Sequence, residues 1–177
     1  YGIIAKVRLF PEALSLTFIH TDIFPQSIQL DAVSKALLPV VRHFLDAFLR
    51  SDTQGWRYAF AAASGKWGEA RGLSIAYDTQ MFLETILRSR PVPLTYYDPL
   101  DIDLREHLTT DEVDVLSLLA AMRADKTSQA REILVRLTGG QIPPRIVEQG
   151  LSLAARLDPD THKTRPPKRP QLKVVRS

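Results

Sequence analysis

Between Asp31 and Arg50 the apolar positions fall at Val33, Ala36/Leu37, Val40/Val41, Phe44/Leu45 and Phe48/Leu49, every three to four residues. That spacing draws a broad stripe along one side of an α-helix. Pro39 lies inside the run, which predicts either a kink or a second helix opening at Pro39. A second stretch, capped by Thr53, carries Trp56, Phe60, Ala63 and Trp67 on one face. Gly65 and Gly68 predict its break near 65–68. A third runs roughly from Glu69 to Arg90 with Leu73, Ala76/Tyr77, Leu83 and Leu87 turned inward. Three such stripes can close on one another as a small bundle.

Pro91-Val92-Pro93 ends that unit and starts a linker. The strongest local signal follows it. Thr109-Thr110-Asp111-Glu112 has the spacing of a capping box, in which the Thr109 hydroxyl accepts from the amide three residues on and Glu112 reaches back. Val113, Leu116 and Leu119/Ala120 then face a core. Thr127 is placed to cap a further helix, with Ala130, Ile133/Leu134 and Leu137 inside and Gly139-Gly140 as its stop. Pro143-Pro144 opens a last one, with Val147, Gly150/Leu151, Ala154 and Leu157 inside, ended by Asp158-Pro159. Upstream of all six segments the period changes to two. Ile4, Lys6 and Arg8, then Leu14, Leu16 and Phe18, alternate around Pro11-Glu12-Ala13, as a β-hairpin or extended arm does.

The fold class expected is therefore mainly α: a helical bundle with a short N-terminal β-hairpin or extended arm and a C-terminal three-helix unit. The divisions are an arm (1–30), a helical unit (31–90), a linker loop (91–108), a three-helix unit (109–157) and a basic tail (158–177). The net charge of +3 sharpens this division. Lys163, Arg165, Lys168, Arg169, Lys173 and Arg176 crowd 161–177 with no acid, and setting those six aside turns +3 into −3. The basic character belongs to the tail, whose prolines and cations predict disorder.

Composition also excludes classes of chemistry. Without cysteine there is no disulfide framework and no thiolate metal site, which suits the reducing cytoplasm. No apolar run nears the ~20 residues of a bilayer span. Ile3-Ile4-Ala5 is interrupted at once by Lys6 and Arg8, unlike a signal peptide. The chain opens on Tyr1 rather than Met, as a trimmed product or fragment would. His20, His43, His107 and His162 form no HExxH or HxH pair, no GxSxG elbow is present, and Ser64-Gly65-Lys66 lacks the preceding glycine of a phosphate loop. Asp98, Asp101 and Asp103 beside Tyr96 and Tyr97 read as an Asp-Pro turn leading to the capped helix rather than as a calcium loop. No catalytic residue, metal ligand or cofactor is expected, and the reading leans away from an enzyme.

Two short resemblances remain. Gly139-Gly140-Gln141 is similar to the tripeptide of peptide release factors, although Ile142-Pro143-Pro144 departs from that family at once and a helix C-cap accounts for both glycines. Leu108-Thr109-Thr110-Asp111-Glu112, with Val115-Leu116 and Leu118-Leu119-Ala120, resembles the first helix of the LuxR-type response-regulator DNA-binding domain, and departs from it beyond Ala121. What that resemblance implies is a helix-turn-helix. Arg145, Gln149, Ser152 and Arg156 follow one face of the last helix, with side chains able to read base edges, and Lys168 and Arg169 of the tail would add phosphate contacts.

The function expected first is a non-catalytic interaction or regulatory module that binds a protein partner or itself. Its positive mark is an apolar stripe from Val33 to Leu49 wider than a short bundle requires. The alternative is a DNA-binding transcriptional regulator working through the C-terminal unit. A third reading is a small-ligand domain, or an interface, at Trp56, Phe60, Trp67 and Tyr77, although aromatics at helical spacing are more often core.

Overall fold

The computed structural model describes residues 30–158 apart from residue 51. The expected arm apart from Leu30, most of the basic tail, and Lys168 and Arg169 lie outside the described residues. Six helices hold 71% of the described residues, and no strand occurs among them, so the protein is mainly helical. They are α1 (Ala32–Leu49), α2 (Gly55–Trp67), α3 (Glu69–Arg88), α4 (Thr110–Arg123), α5 (Thr127–Thr138) and α6 (Pro144–Leu157). No helix among the described residues is long and apolar enough to cross a membrane.

α1 is one continuous helix. The Asp31 carboxylate caps it by accepting from the Ser34 amide at 2.8 Å, and Pro39 sits inside it on the exposed side. There the ring removes one backbone hydrogen bond without leaving a buried orphan. Thr53 does not cap α2. Its hydroxyl donates to the Asp46 and Arg50 carbonyls at the end of α1, and α2 starts at Gly55 with no side-chain cap. Thr127 is likewise the first residue of α5 rather than its cap. The α4 capping box forms in full, with Glu112 N to Thr109 Oγ1 at 3.1 Å and Thr109 N to Glu112 Oε2 at 2.9 Å. Gly139 (φ 68°) and Gly140 (φ 103°) end α5 in left-handed turns, and Gly140 N reaches back to the Val135 carbonyl at 2.8 Å.

The helices pack in the sequence α1 on α2, α2 on α3, α3 on α6, α6 on α4 and α4 back on α1. One continuous apolar core runs through that closed circuit, from Leu37 on α1 to Leu157 on α6. The α2–α3 seam is made of small residues, Ala59 and Ala63 against Gly72 and Ala76. A Cβ added at Gly72 would fall 2.5 Å from the Ala63 carbonyl oxygen and the Ser64 Cα. Small residues close this crossing, and the expected inward faces of α2 and α3 are corrected in part. Trp56 (54% exposed), Tyr77 (57%) and Leu73 (43%) stand on the outside. α6 is also turned relative to expectation. Ile146, Gly150, Leu153, Ala154 and Leu157 are buried, whereas Leu151 is half exposed.

α1 is tied to α4 by a buried ion pair. Arg42 Nε donates to Glu112 Oε1 at 2.7 Å and Arg42 NH2 to Glu112 Oε2 at 3.1 Å. The remaining guanidinium protons go to the backbone carbonyls of Leu104 (3.4 Å), Arg105 (3.1 Å) and His107. Glu112 also accepts from the Tyr97 amide at 3.2 Å. Arg42 and Glu112 are 3% and 1% exposed, so removing either partner strands a charge in the core.

Two expectations follow for stability. Arg42→Ala and Glu112→Ala each lower the free energy of unfolding by about 3–5 kcal/mol in urea melts, and the double variant costs clearly less than the sum of the two. Gly72→Ala, which forces α2 and α3 apart, costs about 1–3 kcal/mol. Gly65→Ala, where an added methyl meets nothing within 4 Å, gains about 0.5–1 kcal/mol through helix propensity.

Candidate functional site

α5 and α6 both lie along α4 but barely meet each other. The gap between them is a groove of about 460 Å³. Its floor is Ala121 and Met122 of α4, one wall is Ala130 and Leu134 of α5, and the other is Val147 and Leu151 of α6 with Ile142 from the preceding loop. Leu151 is 50% exposed and Ile142 37%. Met122 is held down by α6, whose Gly150 leaves space for the thioether: a Cβ there would come within 2.6 Å of the sulfur. A flexible thioether at the base of a groove can adjust to the shape of what enters.

The sequence dictates this gap. α6 carries more apolar residues than a single stripe requires. Ile146, Gly150, Leu153 and Leu157 face the core, and Val147 and Leu151 form a second row beside them. The turn from α4 to α5 sets the open end. Asp125 takes a left-handed φ of 53°, and Lys126 N bonds to the Ala121 carbonyl at 2.9 Å, closing α4 as a tight turn. This brings Lys126 and Arg131 to the rim, both exposed and without an ion-pair partner among the described residues, against the single acid Asp125.

A second cavity, about 730 Å³, lies beside α1 and mixes Leu30, Leu38 and Leu108 with Lys35, His43, Arg105 and Glu106. Arg42 borders it, but every N–H of its guanidinium is already engaged by Glu112 and three carbonyls. Nearby, Asp46 accepts from the Tyr96 hydroxyl (3.2 Å) and from Arg50 (3.0 Å). Burial, then the charge of Asp46 and its hydrogen bond, push the Tyr96 phenol well above its ordinary value. Burial and the Glu112 carboxylate also raise the Tyr97 phenol, with Arg42 opposing. Asp46 and Glu112 thus serve as acceptors for donors that hold the 95–108 segment in place. Among the described residues no group of three or more His, Asp or Glu is arranged to hold a metal ion.

The residues singled out from sequence are dispersed. Arg145 and Ser152 are exposed on α6, and Gln149 is half-buried. Arg156 is ion-paired to Asp78 of α3, and its carbonyl accepts from Arg71 at 2.8 Å. α6 therefore presents Arg145 and Ser152 to solvent, while Arg156 is tied to α3. In the first unit, Phe60 meets Phe44 edge-on at 5.6 Å and packs on the core with Trp67, whereas Trp56 and Tyr77 are exposed; neither cavity is lined by these four. Gly139-Gly140 caps a helix end. The groove residues Met122, Ala130, Leu134, Ile142, Val147 and Leu151 were missed as a set. The surplus of apolar positions on α6 was the signal that could have found them.

No protein-family model, curated protein or solved structure matches the chain.

His43 provides a pH test of the α1 environment. Its ring stacks on Tyr58 at 5.4 Å, and burial holds its imidazole below the usual 6.5 although Asp46 and Asp98 pull the other way. The unfolded chain then binds a proton at a pH where the folded chain does not. Stability is whole above pH 6.5 and falls as pH drops from there towards the folded value. His43→Gln should flatten the dependence of Tm on pH between about pH 7 and pH 5, measured by thermal denaturation.

Proposed function

We propose that the protein is a non-catalytic helical interaction module whose α5–α6 groove seats an apolar segment of a partner protein flanked by acidic residues. The groove itself carries this reading: an open, apolar trough about 460 Å³ in size, bounded by three helices and rimmed by two cations that have no ion-pair partner among the described residues. A cleft with an adaptable apolar floor and a few charges at the edge suits a short amphipathic segment, whose apolar side chains supply affinity and whose flanking charges supply orientation. With Lys126 and Arg131 outnumbering Asp125, acidic flanks fit better than basic ones.

The DNA-reading alternative draws less support, because Arg156, needed in its recognition row, is paired with Asp78. Small-ligand binding at Trp56, Phe60, Trp67 and Tyr77 draws less as well, because none of them lines either cavity. A chain free of cysteine is in keeping with a cytoplasmic setting for this module.

The test uses a fluorescein-labelled twelve-residue peptide with Leu at alternate helical turns and Asp at both ends. Fluorescence anisotropy should show saturable binding that weakens with added salt. Leu151→Glu, at a half-exposed position, should leave the thermal melt nearly unchanged and weaken binding at least about tenfold, and Lys126→Glu/Arg131→Glu should weaken it again. Binding that ignores all three substitutions would remove the groove as the seat.

A further inference from the structure

We infer that this chain carries its own ligand for the groove: the Asp98–Asp103 loop of one copy docks between α5 and α6 of a second copy, head to tail. This rests on the groove reading above and goes on to name the partner. Leu100 and Ile102 are 71% and 74% exposed, the two most exposed large apolar side chains among the described residues. They alternate with Asp98, Asp101 and Asp103, so the loop is a short apolar knob set in acid. The groove is its complement, apolar within and cationic at the rim through Lys126 and Arg131.

The knob is held in shape before it binds anything. Asp98 Oδ1 accepts from the Leu100 amide at 2.9 Å, and Asp101 Oδ1 accepts from the Asp103 amide at 3.0 Å, two successive Asx turns that leave the intervening apolar side chains outside. Its base is anchored at both ends. Asp98 lies 3.8 Å from Arg50, and the Leu104 and Arg105 carbonyls are gripped by Arg42. An ordered loop loses little entropy on docking.

The two surfaces cannot meet within one copy. The loop is bound to the N-terminal end of α4, through Tyr97 N on Glu112 and Thr95 N on Asp111, while the groove floor is Ala121 and Met122 at the other end. At 1.5 Å per residue, α4 separates Thr110 from Met122 by about 18 Å. Unlike patches on opposite ends of a molecule make a heterologous contact, which propagates into a ring or a chain of copies unless it is capped. Two side chains and their acidic flanks are a small interface, so the association is weak and reversible.

Sedimentation velocity on the full chain and on two surface variants tests this. Wild type should grow beyond a dimer as concentration rises to about 1 mM, where even a millimolar Kd populates the complex. Leu100→Ser/Ile102→Ser removes the knob and leaves the groove. Leu151→Glu blocks the groove and leaves the knob. Each variant alone should remain monomeric, and their equimolar mixture should form a single 1:1 species, since only one intact knob and one intact groove are left. Wild type that stays monomeric, or a dimer that persists in both variants, overturns the inference. If the labelled peptide still binds the Leu100→Ser/Ile102→Ser variant in that event, the groove remains a docking seat and only the identity of its partner is lost. If the peptide also fails, the groove reading goes with it.

Discussion

The Arg42–Glu112 pair holds the two halves of this protein in one arrangement. Burying two charges is costly unless each finds enough partners, and here each does. Arg42 engages Glu112 and three loop carbonyls, and Glu112 closes the α4 cap while accepting from Tyr97. The Tyr97 ring lies against the guanidinium, with the Arg42 carbon 5.8 Å from its centroid, and meets His107 edge-on. The non-helical 89–109 segment would otherwise bring unpaired backbone into the core. It is fastened instead to Arg42 or Glu112 at Tyr97, Leu104, Arg105, His107 and Thr109, and to Asp111 and Thr109 at Thr95. The cost of the buried ions is offset by order in a stretch that has no regular structure of its own.

Much of the helical layout was legible in the sequence because its signals are local. The α4 capping box, the glycine stop of α5 and the prolines opening α6 act through neighbouring backbone atoms, and each forms where the letters place it. Inward faces were less legible. Trp56 and Tyr77 have the spacing of core residues yet stand exposed, and it is Gly72 against Ala63, small residues on different helices, that closes the α2–α3 crossing. Nothing in the α1 periodicity singles out Arg42. Its reason is Glu112, seventy positions away, and no periodicity reports a pairing of that kind.

The groove was legible only as a surplus. A helix with apolar residues on more than one face is either surrounded by protein or missing a neighbour. α6 meets α3 and α4 but leaves its Val147–Leu151 row toward the gap. Here Asp125 and Lys126 set the α4–α5 turn, and Ile142-Pro143-Pro144 set the approach to α6, so that α4 supports both and neither supports the other. The same rim that keeps α5 and α6 apart supplies the cations.

Glu112 serves at once as the reciprocal cap of α4 and as the counter-ion of Arg42. Swapping the pair for two well-packed apolar residues, the usual escape from a buried ion pair, would remove the reciprocal half of the helix cap in the same stroke. Related chains that lose Arg42 are then expected to carry an amide at 112, which keeps the reciprocal cap without a stranded charge, whereas those that lose Glu112 must change 42 as well and rely on Thr109 alone for the cap. Inheritance at these positions is coupled in one direction more tightly than in the other.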